Sequence, residues 1–304
     1  MDLSAKAPTE GEIPAESTTP AEDTRNTDAD HDNDVYKADI VVKVEVKENS
    51  EGEYKYSSII TIGEGEDFTY TLNYNTKESD NVIFTYAGKE IAVATTKAFS
   101  AQLVSIYALA IFIAEKRETI SNQKKQKLLN ELLSLPDKIN TTLLKTTDKA
   151  KALSKKIYKS TDIFFIGRLY DYGTACEGSL KMKEISYINS QSYASGELKH
   201  GTISLIENGT PVIAIGSNTE IFSKTASNIA EVKARGAKVF LVTDESEKDA
   251  SVFVDDIIYV PSTPPEFQSS LLVIPLQLLS YYTAQLLERD IDKPKNLAKS
   301  VTVE

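Results

Sequence analysis

The stretch DIFFIG, residues 162–167, decides the fold. Ile163 to Ile166 are apolar without a break, and Gly167 ends the run. A short unbroken apolar run closed by a turn residue reads as a strand buried on both faces. The pattern recurs as PVIAIGS (211–217), KVFLVTD (238–244) and DIIYVPS (256–262). Helical spacing fills the gaps: a helix over about 174–190, EIFSKTASNIAEVKARG (220–236) closed by Gly236, and a helix over 267–288. Unbroken apolar strands that alternate with helices predict an α/β fold, a doubly wound parallel sheet covered on both faces.

Working outward, helices lead into this unit. Residues 97–117 read as one long helix, NQKKQKLLNELLSLP (122–136) as a second stopped by Pro136, and DKAKALSKKIYKS (148–160) as a third. Residues 35–84 alternate apolar and polar positions, through Val42, Val44 and Val46 and again through Phe68, Tyr70, Leu72 and Tyr74. That period of two, broken by NSEG and GEGE, predicts a small antiparallel meander of three or four strands. Residues 1–34 are rich in Pro, Thr, Asp and Glu and hold almost no large apolar side chain, so a disordered acidic tail is expected. The domain reading is therefore 1–34 tail, 35–84 β-rich module, 85–146 leading helices, 147–290 α/β unit and 291–304 C-terminal tail.

Composition narrows the function. The net charge is −11, with 34 Lys+Arg against 45 Asp+Glu, which argues against nucleic acid or an anionic membrane as partner. One cysteine, Cys176, and two distant histidines, His31 and His200, offer no disulfide framework and no metal site; no cofactor is implied. No secretory signal is visible, and the apolar run VSIYALAIFIA (104–114) is too short to span a bilayer. It reads as a buried helix, and a cytoplasmic location is expected.

The chemistry-bearing segment is CEGSLKMKEISYINSQSYASGELKHG, residues 176–201. Lys181 and Glu184, three apart on a helix, share a face, and spacing alone reads as a surface ion pair. The segment ends in GELKHG, where Gly196 and Gly201 bracket Glu197, Lys199 and His200. A carboxylate, an amine and an imidazole gathered this closely suit proton transfer on a sugar. A histidine after a helix is more often a structural hydrogen-bonding residue.

This segment closely resembles the isomerase half of glutamine–fructose-6-phosphate aminotransferase, a member of the sugar isomerase (SIS) superfamily. So do TYAGKEIAVATTKAFSAQL (85–103) and NLAKSVTVE (296–304), in the family's order, so that the similarity runs over about 85–304. The resemblance implies that Glu184 moves the proton between C1 and C2 of the sugar and that Lys181 assists it. It implies that His200 serves ring opening in a neighbouring subunit's site, and that Lys299 forms a Schiff base with the open-chain ketose. Val93, Thr95 and Ala298 match sugar-lining positions, Thr95 standing where the family more often has serine. The implied partner is a phosphosugar such as fructose-6-phosphate, and a homodimer is expected.

Two departures accompany the resemblance. The family's glutaminase nucleophile is a cysteine directly after the initiator methionine; residue 2 here is Asp, so glutamine hydrolysis is not expected. A Ser-x-Ser-Gly-x-Thr-type loop for the sugar phosphate is not found in residues 1–84, and IGSNTE (215–220) is the one local substitute. Residues 85–146 then read as the helical remnant of a first subdomain, with an apolar face on 97–117 left exposed. Three readings stay open: a phosphosugar isomerase/aminotransferase, a non-catalytic sugar-binding or oligomerising module, and a truncated or chimaeric chain.

Overall fold

The computed structural model describes residues 83–88, 90–217, 219–247 and 254–298, together with the backbone of three strands nearer the N-terminus. The expectations for the acidic tail, for the side chains of residues 42–74 and for Lys299 lie outside the described residues. The chain divides into two units, Met1–Phe84 and Thr85–Glu304. In the first, β1 (Ile40–Glu48), β2 (Tyr54–Ile62) and β3 (Thr69–Asn73) pair antiparallel in the order β1-β2-β3.

The second unit opens with α1 (Lys97–Lys116), α2 (Asn122–Leu133) and α3 (Leu135–Ile157). Ser121 caps α2 by accepting the Lys124 N–H at 3.1 Å, satisfying one of the free amides of the first turn. Pro136 does not stop a helix as the sequence suggested; it lies in the first turn of α3, where its missing N–H costs nothing. The third helix therefore starts at Leu135 rather than near residue 148.

Beyond α3 the chain alternates: β4 (Asp162–Gly167), α4 (Tyr170–Ser186), β5 (Asn189–Ala194), β6 (Pro211–Ile215), α5 (Phe222–Lys233), β7 (Lys238–Asp244), β8 (Asp256–Val260) and α6 (Ser269–Leu286). All neighbouring strands pair parallel, in the order β5-β4-β6-β7-β8. This is the doubly wound sheet expected from the sequence. Strand β5, NSQSYA, is the exception: it is polar, lies at the sheet edge, and falls where the sequence suggested the end of a helix. That helix starts and ends four residues earlier than expected, at Tyr170 and Ser186.

The strand side chains alternate between two cores. Phe164, Ile166, Val212, Ala214, Val239 and Leu241 meet Ile229 and Val232 of α5 on one face. The opposite face carries Phe165, which lies against Gly178 of α4 and, through it, Leu276 of α6. The reading of residues 104–114 as a buried helix needs correction. In α1 only Ala108 and Ile111 are buried, while Ile106 and Ile113 are exposed. By length and composition alone α1 would suffice to cross a membrane, with a mean hydropathy of 1.7. Its apolar surface is the exposed face expected if packing partners are missing.

Two glycines of the β4–α4 unit make opposite predictions. A Cβ on Gly167 would stand 2.4 Å from the Asp171 carbonyl oxygen, a backbone atom that cannot swing away. Gly173 is an exposed residue within α4 whose Cβ would meet nothing within 4 Å. Chemical denaturation should find Gly167→Ala less stable by about 2–4 kcal/mol, from forced backbone displacement. Gly173→Ala should be more stable by about 0.5–1 kcal/mol, because alanine loses less entropy in a helix.

Candidate active site

Helix α4 is the element on which the chemistry-bearing residues converge. The chain enters it through Leu169, held at φ 52°, and Asp171 in its first turn is buried. Asp171 accepts hydrogen bonds from the N–H of Ser217 at 2.9 Å and from the Ser217 hydroxyl at 2.6 Å. The start of α4 is thereby tied to the loop after β6. This loop is IGSNTE, the local substitute for a phosphate cradle, and its serine donors are already given to a carboxylate.

Nearly three turns further on, Lys181 is 3% exposed. Its Nζ lies 2.7 Å from Glu184 Oε2 and 3.5 Å from Glu177 Oε1. The surface ion pair suggested by spacing is thus a buried ammonium held between two half-buried carboxylates. Neither of those carboxylate oxygens is exposed, and neither has a hydrogen-bond partner among the described residues beyond its ion-pair contact with Lys181. Burial pushes the Glu177 carboxyl above its ordinary value; the Lys181 ammonium pulls it back and the Glu184 charge adds to the rise. Glu177 is the residue that sequence reasoning missed. Its position four residues before Lys181 was the available signal.

The loop before α1 reaches the same region. Val93 donates its N–H to the Asp292 carbonyl at 2.9 Å, joining the loop to the C-terminal segment. Ala94 packs with Ile185, the residue after Glu184, and with Ala284 and Ile291. Val93 and Thr95, half-buried on either side of Ala94, are therefore carried to the glutamate end of α4. The C-terminal segment approaches α4 as well: Lys295 donates its N–H to the Tyr187 hydroxyl at 2.7 Å. Ala298 is exposed and Lys299 follows it in sequence.

His200 stands apart. It ends the short 3-10 turn Leu198–His200 and is exposed, as are Glu197 and Lys199. Among the described residues no hydrogen bond or ion pair joins it to Lys181 or Glu184. Gly201 beside it adopts φ 148°, a conformation that side chains disfavour. Arg168, unremarked in the sequence, grips Asn228 Oδ1 at 2.8 and 3.1 Å and lies over Gly196, so that it braces the start of the GELKHG loop. A separate cleft of about 720 Å³ opens at the carboxyl ends of β6, β7 and β8. Its lining includes the ion pairs Lys124–Glu266, at 3.0 Å, and Lys138–Glu131, at 2.6 Å, together with Lys127 and Asp244, and none of the α4 cluster lines it.

The raised Glu177 carboxyl has a consequence for stability. A carboxyl whose folded value lies above its unfolded one holds its proton longer in the folded state, so stability falls as pH rises through that interval. The fall begins near the ordinary glutamate value of 4.5 and runs upward. Glu177→Gln, which keeps the shape without the charge, should flatten this part of the pH–stability curve in denaturation measured at intervals from pH 4 upward.

The sequence and fold have counterparts among known proteins. A SIS domain model matches residues 156–287. Glutamine–fructose-6-phosphate aminotransferase [isomerizing] of Clostridium tetani is 50% identical over 228 residues, 75% of this chain and 37% of that protein. The enzyme of the same name from Thermus thermophilus is 42% identical over 229 residues, 75% of this chain and 38% of its own. Among solved structures, the C-terminal domain of glucosamine-fructose-6-phosphate aminotransferase from Francisella tularensis superposes with a TM-score of 0.66 at 36% identity. It covers 69% of this chain and 59% of that one. The chain thus spans little more than a third of the length of these curated relatives. It carries a SIS domain and is similar, over three quarters of its length, to the C-terminal isomerase half of glutamine–fructose-6-phosphate aminotransferase.

Proposed function

We propose that the Thr85–Glu304 unit is a phosphosugar proton-transfer site acting on fructose-6-phosphate or a close ketose phosphate, in amino-sugar synthesis. The observation that carries this reading is Lys181, buried between Glu177 and Glu184 beside the loop of Val93 and Thr95. A buried ammonium whose two carboxylate neighbours have no other partner among the described residues is costly to keep. Such cost is expected where a site awaits a ligand.

In this reading the Lys299 amine condenses with the C2 carbonyl of the open-chain sugar, releasing water. Once ammonia displaces the lysine as the C2 imine, or water restores the ketone, Glu184 takes a proton from C1 and returns it to C2, while Lys181 holds and relays the proton of the C1 hydroxyl. Val93, Thr95 and Ala298 line the sugar, and His200, exposed on its turn, serves ring opening in a second copy of the chain. A homodimer follows from that role, with a cytoplasmic location and without nucleic-acid or membrane partners. Residues 85–146 are the remnant of a first SIS subdomain.

A second reading, a sugar-binding or oligomerising module without turnover, is favoured by one observation: Ser217 gives its donors to Asp171 and leaves the local loop poorly equipped for a phosphate. Interconversion of fructose-6-phosphate and glucose-6-phosphate by the purified chain separates the two. The first reading expects turnover that Glu184→Gln lowers by about 10²–10⁴-fold, the usual worth of a positioned base. No turnover in a folded, dimeric sample would leave the binding module.

A further inference from the structure

The proposed reaction leaves Glu177 without a task, although its carboxylate shares a cluster with Lys181 and Glu184. Its side chain is 11% exposed against 22% for Glu184, so it is the less accessible of the two to a ligand. The buried Lys181 ammonium has Glu184 at 2.7 Å and Glu177 at 3.5 Å, and among the described residues no third carboxylate lies within ion-pair reach. The elements packed against α4 offer none. Helix α6 carries no Asp, Glu, Lys, Arg or His, and neither do strands β5 and β6. Strand β4 carries only Asp162, at its start, which accepts hydrogen bonds from Asn189 and Thr161 instead.

Two counter-ions are one more than a resting ammonium needs. The second gains a use because the reaction removes the first. When the C1–H bond breaks, its proton goes to the Glu184 carboxylate. Its electron pair moves into the C1–C2 bond and pushes charge onto the group at C2. Glu184 is then a neutral acid, and Lys181 remains a buried cation. We propose that Glu177 is a positioning residue, the standing counter-ion that keeps the Lys181 ammonium charged and in place while Glu184 carries the substrate proton. The proposal rests on the phosphosugar reading above, which makes Glu184 the base. Without Glu177, abstraction would strand an uncompensated charge in a dry site, and that cost would add to the barrier. Burial raises the Glu177 carboxyl, the Lys181 ammonium opposes the rise and the Glu184 charge adds to it. Once Glu184 is neutral that addition is gone, so Glu177 carries its own charge more firmly when it is needed.

The test uses the full chain in two arms. Without sugar, denaturation near neutral pH compares Glu177→Gln, Glu184→Gln and the double variant. Either carboxylate alone can serve the ammonium, so the double change should raise the unfolding constant about tenfold beyond the product of the single effects. Adding Lys181→Met removes the stranded charge and should restore stability, even from a double variant too unstable to fold. With fructose-6-phosphate in deuterated buffer, Glu177→Gln should exchange the C1 hydrogen about 10–100-fold more slowly at saturation. The half-saturating sugar concentration should stay unchanged, the mark of a charge needed in the transition state rather than in binding. Additive effects in the first arm, or a triple variant no more stable than the double, overturn the counter-ion and leave the proposed reaction standing. Exchange in Glu177→Gln at the wild-type rate, or slowed only through weaker sugar binding, does the same. A folded wild type that exchanges nothing overturns the reaction, and with it this use of Glu177.

Discussion

The close approach of α4 to the sheet and to α6 is the constraint on which the site depends. Gly167 lets the backbone of the first turn of α4 lie where any side chain would collide with Asp171. Gly178 does the same a few turns later, where a Cβ would stand 2.7 Å from Leu276 Cδ1 and 3.1 Å from Phe165. With the helix pressed in at these points, Lys181 is buried almost completely on its inner side. A helix standing even slightly off the sheet would return Lys181 to water and make the cluster an ordinary exposed ion pair of little energetic weight.

Burial changes what the charges do. In water, a lysine flanked by two glutamates is solvated and indifferent to its neighbours; in a dry site each uncompensated charge is expensive. Two carboxylates on one ammonium leave the cluster with one negative charge too many. Burial raises the Glu177 carboxyl above its ordinary value, the Lys181 ammonium opposes the rise and the Glu184 charge adds to it, so Glu177 holds its proton longer. The same excess would favour a cationic group brought in from outside. The loop at Val93 and the segment at Lys295 both meet this end of the helix. Geometry and charge therefore point to the same place.

Much of this was legible in the sequence. The apolar strands β4, β6 and β7 announce themselves, because a strand buried on both faces has no polar residue to confuse its pattern, and β8, half-buried at the far edge, still keeps an apolar run. Strand β5 was illegible for the converse reason: NSQSYA at a sheet edge need not be apolar, and its pairing with β4 is a tertiary fact. Pro136 was misread because a proline that ends one helix and a proline that begins the next leave the same mark. Lys181 and Glu184 were found, but their burial was not, since i,i+3 spacing carries no information about which face is inward. The contacts of Tyr187 with Arg289 and Lys295 were invisible because those residues lie a hundred residues away.

The central claim is that the Lys181–Glu184 pair abstracts a proton from a bound ketose phosphate. Its most direct measurement is proton NMR of fructose-6-phosphate incubated with the chain in deuterated buffer, which reads abstraction at C1 whether or not an aldose is released. The account predicts replacement of one C1 hydrogen by deuterium in the wild type and none in Glu184→Gln. A C1 signal that persists undiminished in the presence of folded wild-type protein would contradict it.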